Sequence, residues 1–131
     1  MSWHKYGARK VAVDGIAFDS IREARRYKEL KLLQASGKIS DLRLQVSFEL
    51  VPALYEHSGE VYTKGKRKGQ PKRGKCIEHA VTYKADFVYT EDGRQIVEDA
   101  KGMPTKDYII KRKLFKQLYG DPLFSKVVFI P

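Results

Sequence analysis

The sequence predicts a single α/β domain in which two helices pack on a sheet, and three observations support that expectation. Two runs rich in Val, Ile, Tyr and Phe flank Asp92-Gly93. Two stretches of helical periodicity each begin at a capping residue and stop at a glycine. The chain closes on the apolar run from Val127 to Ile130. With 131 residues, 42% of them hydrophobic, the chain is large enough to bury a core but too short for two domains.

In chain order, Trp3, His4, Lys5, Tyr6, Arg9 and Lys10 form a basic, aromatic lead-in, either a disordered arm or a segment suited to a sugar-phosphate backbone. A short apolar stretch from Val11 to Phe18 turns at Asp14-Gly15. Asp19 or Ser20 then caps a helix that runs to about Ser36 and stops at Gly37; with Ser20 as cap, Glu23 occupies the capping-box position. Steps of 100° place Arg22, Arg25, Arg26 and Glu29 on a solvated arc and turn Glu23 inward beside Tyr27 and Leu30. Glu23 is thus a cap carboxylate, a functional group aimed at the sheet, or both. Residues 38–53 read as a strand closed by Pro52. Strict alternation puts Leu42, Leu44, Val46, Phe48 and Leu50 on the core face and Arg43, Gln45, Ser47 and Glu49 on the other, where Gln45 can line a site.

Between Glu56 and Glu78 the pattern dissolves into a mobile loop or a long hairpin tip. Lys64, Lys66, Arg67, Lys68, Lys72, Arg73 and Lys75 are interrupted by three glycines and a proline, with no acid among them. Read blandly, the run is a solvated stretch of charge; in a basic protein it suits phosphates better. A second helix starts at Thr105 or Asp107 and runs to about Tyr119, stopped by Gly120 and Pro122. Tyr108, Ile110, Leu114, Phe115 and Leu118 are its expected core face, and Lys106, Lys111, Arg112, Lys113 and Lys116 its basic side. Val127 to Ile130 forms the last, buried strand.

The hairpin around Asp92-Gly93 bears the chemistry. A two-residue turn there pairs Val88 with Val97, Asp86 with Asp99 and Lys84 with Lys101, all on one face. Opposed residues have Cβ atoms roughly 5 Å apart, where two carboxylates repel unless something compensates. A divalent cation held by oxygen ligands supplies that compensation, and Lys101 lies two residues from Asp99 on the same face. An ordinary solvated face, or a bulge that shifts the register, is the bland alternative.

Twenty-six Lys and Arg against sixteen Asp and Glu give a net charge of +10, which favours a polyanionic partner, nucleic acid or anionic membrane. No apolar run approaches the roughly 20 residues of a membrane span, and the amino terminus lacks a signal-peptide core. A soluble intracellular protein is expected, and the lone Cys76 agrees with a reducing compartment. Cys76-x-x-His79 hints at zinc but lacks two of four ligands.

Three acids, one lysine and this order of elements resemble the PD-(D/E)XK nuclease superfamily over roughly residues 18–130. The resemblance implies a restriction-endonuclease-like core: a helix, a three-strand meander, a second helix and a fourth strand, with a mixed central sheet flanked by helices. The motif falls on Asp86, Asp99 and Lys101, with Glu23 matching the helix acid. Apolar Ile96 and Val97 precede the acid as usual, whereas Glu98 stands where an apolar residue is expected, so Glu98 competes with Asp99 for the ligand role; alternation prefers Asp99. The stretches from Phe18 to Leu30 and from Gln45 to Phe48 are similar to small phage-borne nucleases related to Holliday junction resolvases, and the nuclease subunits of transposases share the helix Glu and strand Gln.

By that resemblance the chain is a metal-dependent endodeoxyribonuclease acting on branched DNA in the cytoplasm of a bacterium or phage-infected cell. Glu23, Asp86, Asp99 and the Ala100 carbonyl are then the ligands of Mg²⁺ or Mn²⁺, which polarises the phosphate and lowers the pKa of a bound water. Lys101 orients or deprotonates that water or stabilises the transition state, and Gln45 holds a water or phosphate oxygen. Arg9, Lys10, the cations from Lys64 to Lys75, Lys111 and Lys113 are the expected DNA contacts. A homodimer suits two symmetric cuts. The competing class is a non-catalytic DNA-binding module on a nuclease-like fold; an RNA-binding domain is disfavoured by the lack of paired stacking aromatics.

Overall fold

A four-stranded mixed sheet carries one helix on each face. The computed structural model describes residues 10–100, 104–120 and 127–130, so the expectations for Trp3, His4, Lys5, Tyr6, Arg9 and Lys101 lie outside the described residues. The elements are β1 (Val11–Val13), β2 (Ile16–Phe18), α1 (Ile21–Ala35), β3 (Ser40–Val51), β4 (Leu54–Val61), β5 (Pro71–Glu78), β6 (Val81–Glu91), β7 (Arg94–Glu98), α2 (Lys106–Tyr119) and β8 (Val127–Ile130). The central sheet has the order β3-β6-β7-β8; its first three strands are antiparallel and β8 runs parallel to β7, reached by the crossover through α2. The α/β expectation, with a mixed sheet and two helices, agrees with this arrangement. No helix among the described residues is long and apolar enough to cross a membrane.

Local chemistry explains the boundaries. Ser20 caps α1, its hydroxyl accepting from the Glu23 N–H at 3.1 Å, and Gly37 follows the helix at a φ of 83° that other residues avoid. Thr105 caps α2 in the same way, accepting from the Tyr108 N–H at 3.1 Å. Asp92 and Gly93 both have positive φ, 50° and 75°, the conformation of a tight turn matched to strand twist, and Val88 pairs with Val97 in the anticipated register.

Two separate apolar cores lie on the two faces. Tyr27 and Leu30 of α1 pack with Phe18, Phe87, Tyr89 and Ile96, while Tyr108 and Phe115 of α2 pack with Leu50, Tyr83, Ala85, Val88 and Val97. Phe115 is fully buried at the centre of an aromatic group, 5.1 Å from the rings of Phe48, Tyr119 and Phe129 and 5.7 Å from that of Tyr83.

The expectation that Leu42, Leu44, Val46, Phe48 and Leu50 share one face is corrected. Leu42 and Leu44 pack toward α1, whereas Val46, Phe48 and Leu50 pack toward α2. The crossing point is Gln45, whose φ of 53° is a left-handed value in mid-strand that reverses the alternation of side chains. Strand β6 crosses at the same level: Tyr83 and Ala85 belong to the α2 core, Phe87 and Tyr89 to the α1 core. Between the pairs Leu44↔Phe87 and Val46↔Ala85 stand Gln45 and Asp86. Both strands therefore change faces together at the level of Gln45 and Asp86.

Two further expectations need correction. Ile110 and Leu118 of α2 are 57% and 55% exposed, because the buried face runs through Tyr108, Phe115 and Tyr119. Arg26 is not simply part of a solvated arc; it reaches across to Glu98 of β7. Residues 56–78 take the hairpin alternative: β4 and β5 pair only with each other, as a separate two-stranded sheet.

Candidate active site

The face change brings α1 and the sheet together around one carboxylate. Asp86, 9% exposed, accepts the Ala100 N–H at 2.9 Å on one oxygen and the Gln45 side-chain amide at 3.4 Å on the other. Glu23, also 9% exposed, meets it from the first turn of α1 and shares a hydrogen bond with it. Glu23 therefore closes the start of α1, with its carboxyl on the Asp19 N–H and not on the Ser20 N–H of a capping box, and also turns toward the sheet. Its N–H is capped by Ser20, and its carboxyl accepts the Asp19 N–H at 3.3 Å while facing Asp86. Burial, and then the hydrogen bond and charge of Asp86, push the Glu23 carboxyl up from 4.5 to about 7. Two adjoining carboxyls of this kind share a proton when no cation lies between them.

Asp99 takes a different position. The β6–β7 ladder ends at Phe87↔Glu98, after which the Asp99 N–H donates to the Ile130 carbonyl at 3.1 Å, so Asp86 and Asp99 do not form a rung of the ladder. The Asp99 side chain, 2% exposed, accepts the Tyr83 hydroxyl at 2.7 Å. Burial above all, reinforced by Asp99, raises the Tyr83 pKa, so the phenol stays a neutral donor.

Glu98 lies on the opposite face, 7% exposed, where Tyr89 donates to it at 2.8 Å and Arg26 donates to both of its oxygens, the longer contact being 3.1 Å. The Arg26 pKa is raised in return, chiefly by that hydrogen bond. Glu98 is thus already neutralised by a guanidinium, while Glu23 and Asp86 face each other.

Among the described residues, no three His, Cys, Asp or Glu side chains already stand together as a metal site. Glu23 and Asp86 adjoin, and Asp99 is engaged by Tyr83. The donor set still suits a hard cation, since all these atoms are carboxylate oxygens. Ala100 is seen here as an N–H donor to Asp86. Cys76 Sγ and His79 Nδ1 are 4.0 Å apart on the exposed hairpin, still two ligands short of a zinc site.

The expected DNA-contact cations are distributed over the surface. Lys10 is exposed before β1; Lys64, Lys66, Arg67 and Lys68 crown the β4–β5 tip; Lys72, Arg73 and Lys75 lie along β5; Lys113 is exposed on α2. Lys111 lines a cavity of about 190 Å³ with Tyr83, Lys84, Thr105, Asp107 and Tyr108, next to the tyrosine that holds Asp99. Tyr83, Tyr89 and Arg26 were not anticipated from sequence. The hairpin register places Tyr89 diagonally across from Glu98, which was a usable signal for that residue; nothing local marks Tyr83 or Arg26.

No curated protein and no solved structure matches the chain. A family model described as a protein of unknown function, DUF1064, matches residues 3–128, nearly the whole chain, and the protein belongs to that family.

Proposed function

We propose that the protein is a metal-dependent endodeoxyribonuclease on a restriction-endonuclease-like core, cutting phosphodiester bonds in branched DNA in the cytoplasm of a bacterial or phage-infected cell. One observation carries the reading: Glu23 of α1 and Asp86 of β6, remote in sequence, are packed side by side and buried at the point where the sheet changes faces. A fold built for stability alone has little reason to bury two facing carboxyls.

Glu23, Asp86 and Asp99 are the residues that would hold Mg²⁺ or Mn²⁺, with the Ala100 carbonyl as a fourth oxygen. The cation, when bound, supplies charge for the scissile phosphate and lowers the pKa of a water. The chain's own contribution is positioning. The Ala100 N–H and the Gln45 amide fix the Asp86 carboxylate, and the Ser20 cap fixes the backbone that presents Glu23. Tyr83 orients Asp99. Lys101 takes the role of orienting or deprotonating the attacking water. A homodimer presents two such sites in the relation that paired cuts need.

A second reading, a DNA-binding module without catalysis, is favoured by the engagement of Asp99 with Tyr83 and the lack of a ready three-acid group among the described residues. Labelled four-way junction, duplex and single-stranded DNA, each incubated with Mg²⁺, Mn²⁺ or EDTA, separates the two. Cation-dependent nicking that Asp86→Asn abolishes supports the nuclease; intact DNA with bound protein under every condition supports the module.

A further inference from the structure

The β4–β5 hairpin is an arm that belongs to neither core. All eight residues of β4 are exposed, β5 is half-buried only at alternate positions, and the two strands pair with nothing else. Its tip is folded: Tyr62 and Gln70 are joined by an N–H···O bond of 2.9 Å, Gly69 donates to the Tyr62 carbonyl at 2.8 Å, and Gln70 and Lys68 donate to Arg67 and Gly65 inside the turn. Eight residues per strand give a ribbon about 26 Å long.

The cations on this ribbon are placed by the fold and not only by composition. The Arg73 guanidinium lies 4.7 Å from the Tyr55 ring centroid, and Lys72 and Arg67 lie 5.6 and 5.8 Å from that of Tyr62. Aromatic platforms restrict long side chains and so reduce the entropy lost when they meet phosphate. Register shifts at three points along the ladder add twist to the pair. At Gly74 the backbones leave no room for a side chain: a Cβ there would lie 2.6 Å from the Glu56 carbonyl oxygen.

The geometry points to this arm as a two-stranded ribbon that enters the major groove of duplex DNA, its cations meeting the phosphates on both walls. The major groove, about 12 Å wide, admits two strands with their side chains, and the minor groove, about 6 Å wide, does not. Shape then matters as well as charge, which distinguishes the arm from a flexible basic loop. The inference takes its ligand, DNA, from the nuclease reading but does not depend on cleavage.

The test measures affinity of the full-length protein for a short duplex in EDTA, where no cut is made. Gly74→Ala keeps every cation but forces the strands apart at Glu56. It should weaken binding by about tenfold and flatten the slope of log affinity against log salt by about 2, as for two lost phosphate contacts. The thermal unfolding transition should persist, because the arm packs on neither core. Independently of any variant, a duplex whose pyrimidines carry bulky C5 groups, which project into the major groove, should bind wild type about tenfold more weakly, whereas prefilling the minor groove with netropsin should change affinity less than twofold. Wild-type affinity for Gly74→Ala, or netropsin competing while bulky C5 groups do not, overturns the inference. Groove-dependent binding by a protein that never nicks DNA would instead retain the inference and remove the nuclease reading.

Discussion

Replacing Arg26 with Met should destabilise the protein by about 2–3 kcal/mol. The guanidinium donates to both oxygens of Glu98, whose remaining described partner is the Tyr89 hydroxyl. Removing one member of a buried ion pair costs roughly 3–5 kcal/mol, because the other charge loses its counterion without regaining water. Glu98 fits that case at 9% side-chain exposure, but the Arg26 side chain is 30% exposed, so solvent partly replaces it and the lower figure applies. For a domain of this size the loss corresponds to a fall in Tm of about 8–12 °C. Glu98→Gln should be milder, about 1 kcal/mol, since Arg26 keeps its 2.8 Å contact with Glu29. The double variant should cost at least about 1 kcal/mol less than the two single changes added together. Urea unfolding followed by far-ultraviolet circular dichroism at pH 7 gives all three values. If Arg26→Met lies within about 0.5 kcal/mol of wild type, or if the two effects add, the pair is an ordinary surface contact and the reasoning fails.

Other perturbations probe the carboxylate site. Asp99→Asn retains an oxygen for Tyr83, so it should keep the fold within about 1 kcal/mol while losing Mn²⁺-dependent stabilisation and nicking; equal stabilisation of variant and wild type, or loss of nicking by Glu98→Gln instead, would show that the ligand is misassigned. Lys101→Ala should lose nicking yet keep its response to Mn²⁺. Because the Glu23 carboxyl is raised from 4.5 to about 7 by burial and Asp86, the native state holds a proton that the unfolded chain has released in that interval. Cation-free stability should therefore be greatest below about pH 4.5 and fall as pH rises toward 7, and Glu23→Gln should remove that slope; parallel urea midpoints for both proteins from pH 5 to 7.5 would contradict this. Gln45→Gly relieves a left-handed residue, worth roughly 1–2 kcal/mol, against roughly 0.5–1 kcal/mol of glycine entropy. It should leave stability unchanged or raise it by up to about 1 kcal/mol while slowing cleavage, and a clear loss of stability would mean that the Gln45 side chain, not the backbone, matters there.

Much of the architecture was legible because it is local. The caps at Ser20 and Thr105, the Asp92-Gly93 turn and the period of α1 each depend on a few adjacent residues, and the structure follows them closely. The face change at Gln45 was not legible, since a glutamine carries no signal for positive φ and uninterrupted alternation is the default reading of a strand. That one backbone torsion moved Leu42 and Leu44 to a different core from Val46, Phe48 and Leu50. Within the site, Glu23 and Asp86 could be nominated by residue type and inward phase. The partners that orient the acids, Tyr83 for Asp99 and Arg26 for Glu98, come from other elements and depend on tertiary packing alone.

The position of the arm in the chain has an evolutionary consequence. Val51 and Val81 are paired, so the two points where the arm leaves and rejoins the sheet are neighbours across β3 and β6. Everything between them can lengthen, shorten or be exchanged without moving a buried residue of either core, and closing the gap with a short turn would leave an ordinary β-hairpin. Selection can therefore retune the arm we propose as the DNA grip at this one junction, through insertions and deletions, while the residues around Asp86 stay under separate constraint.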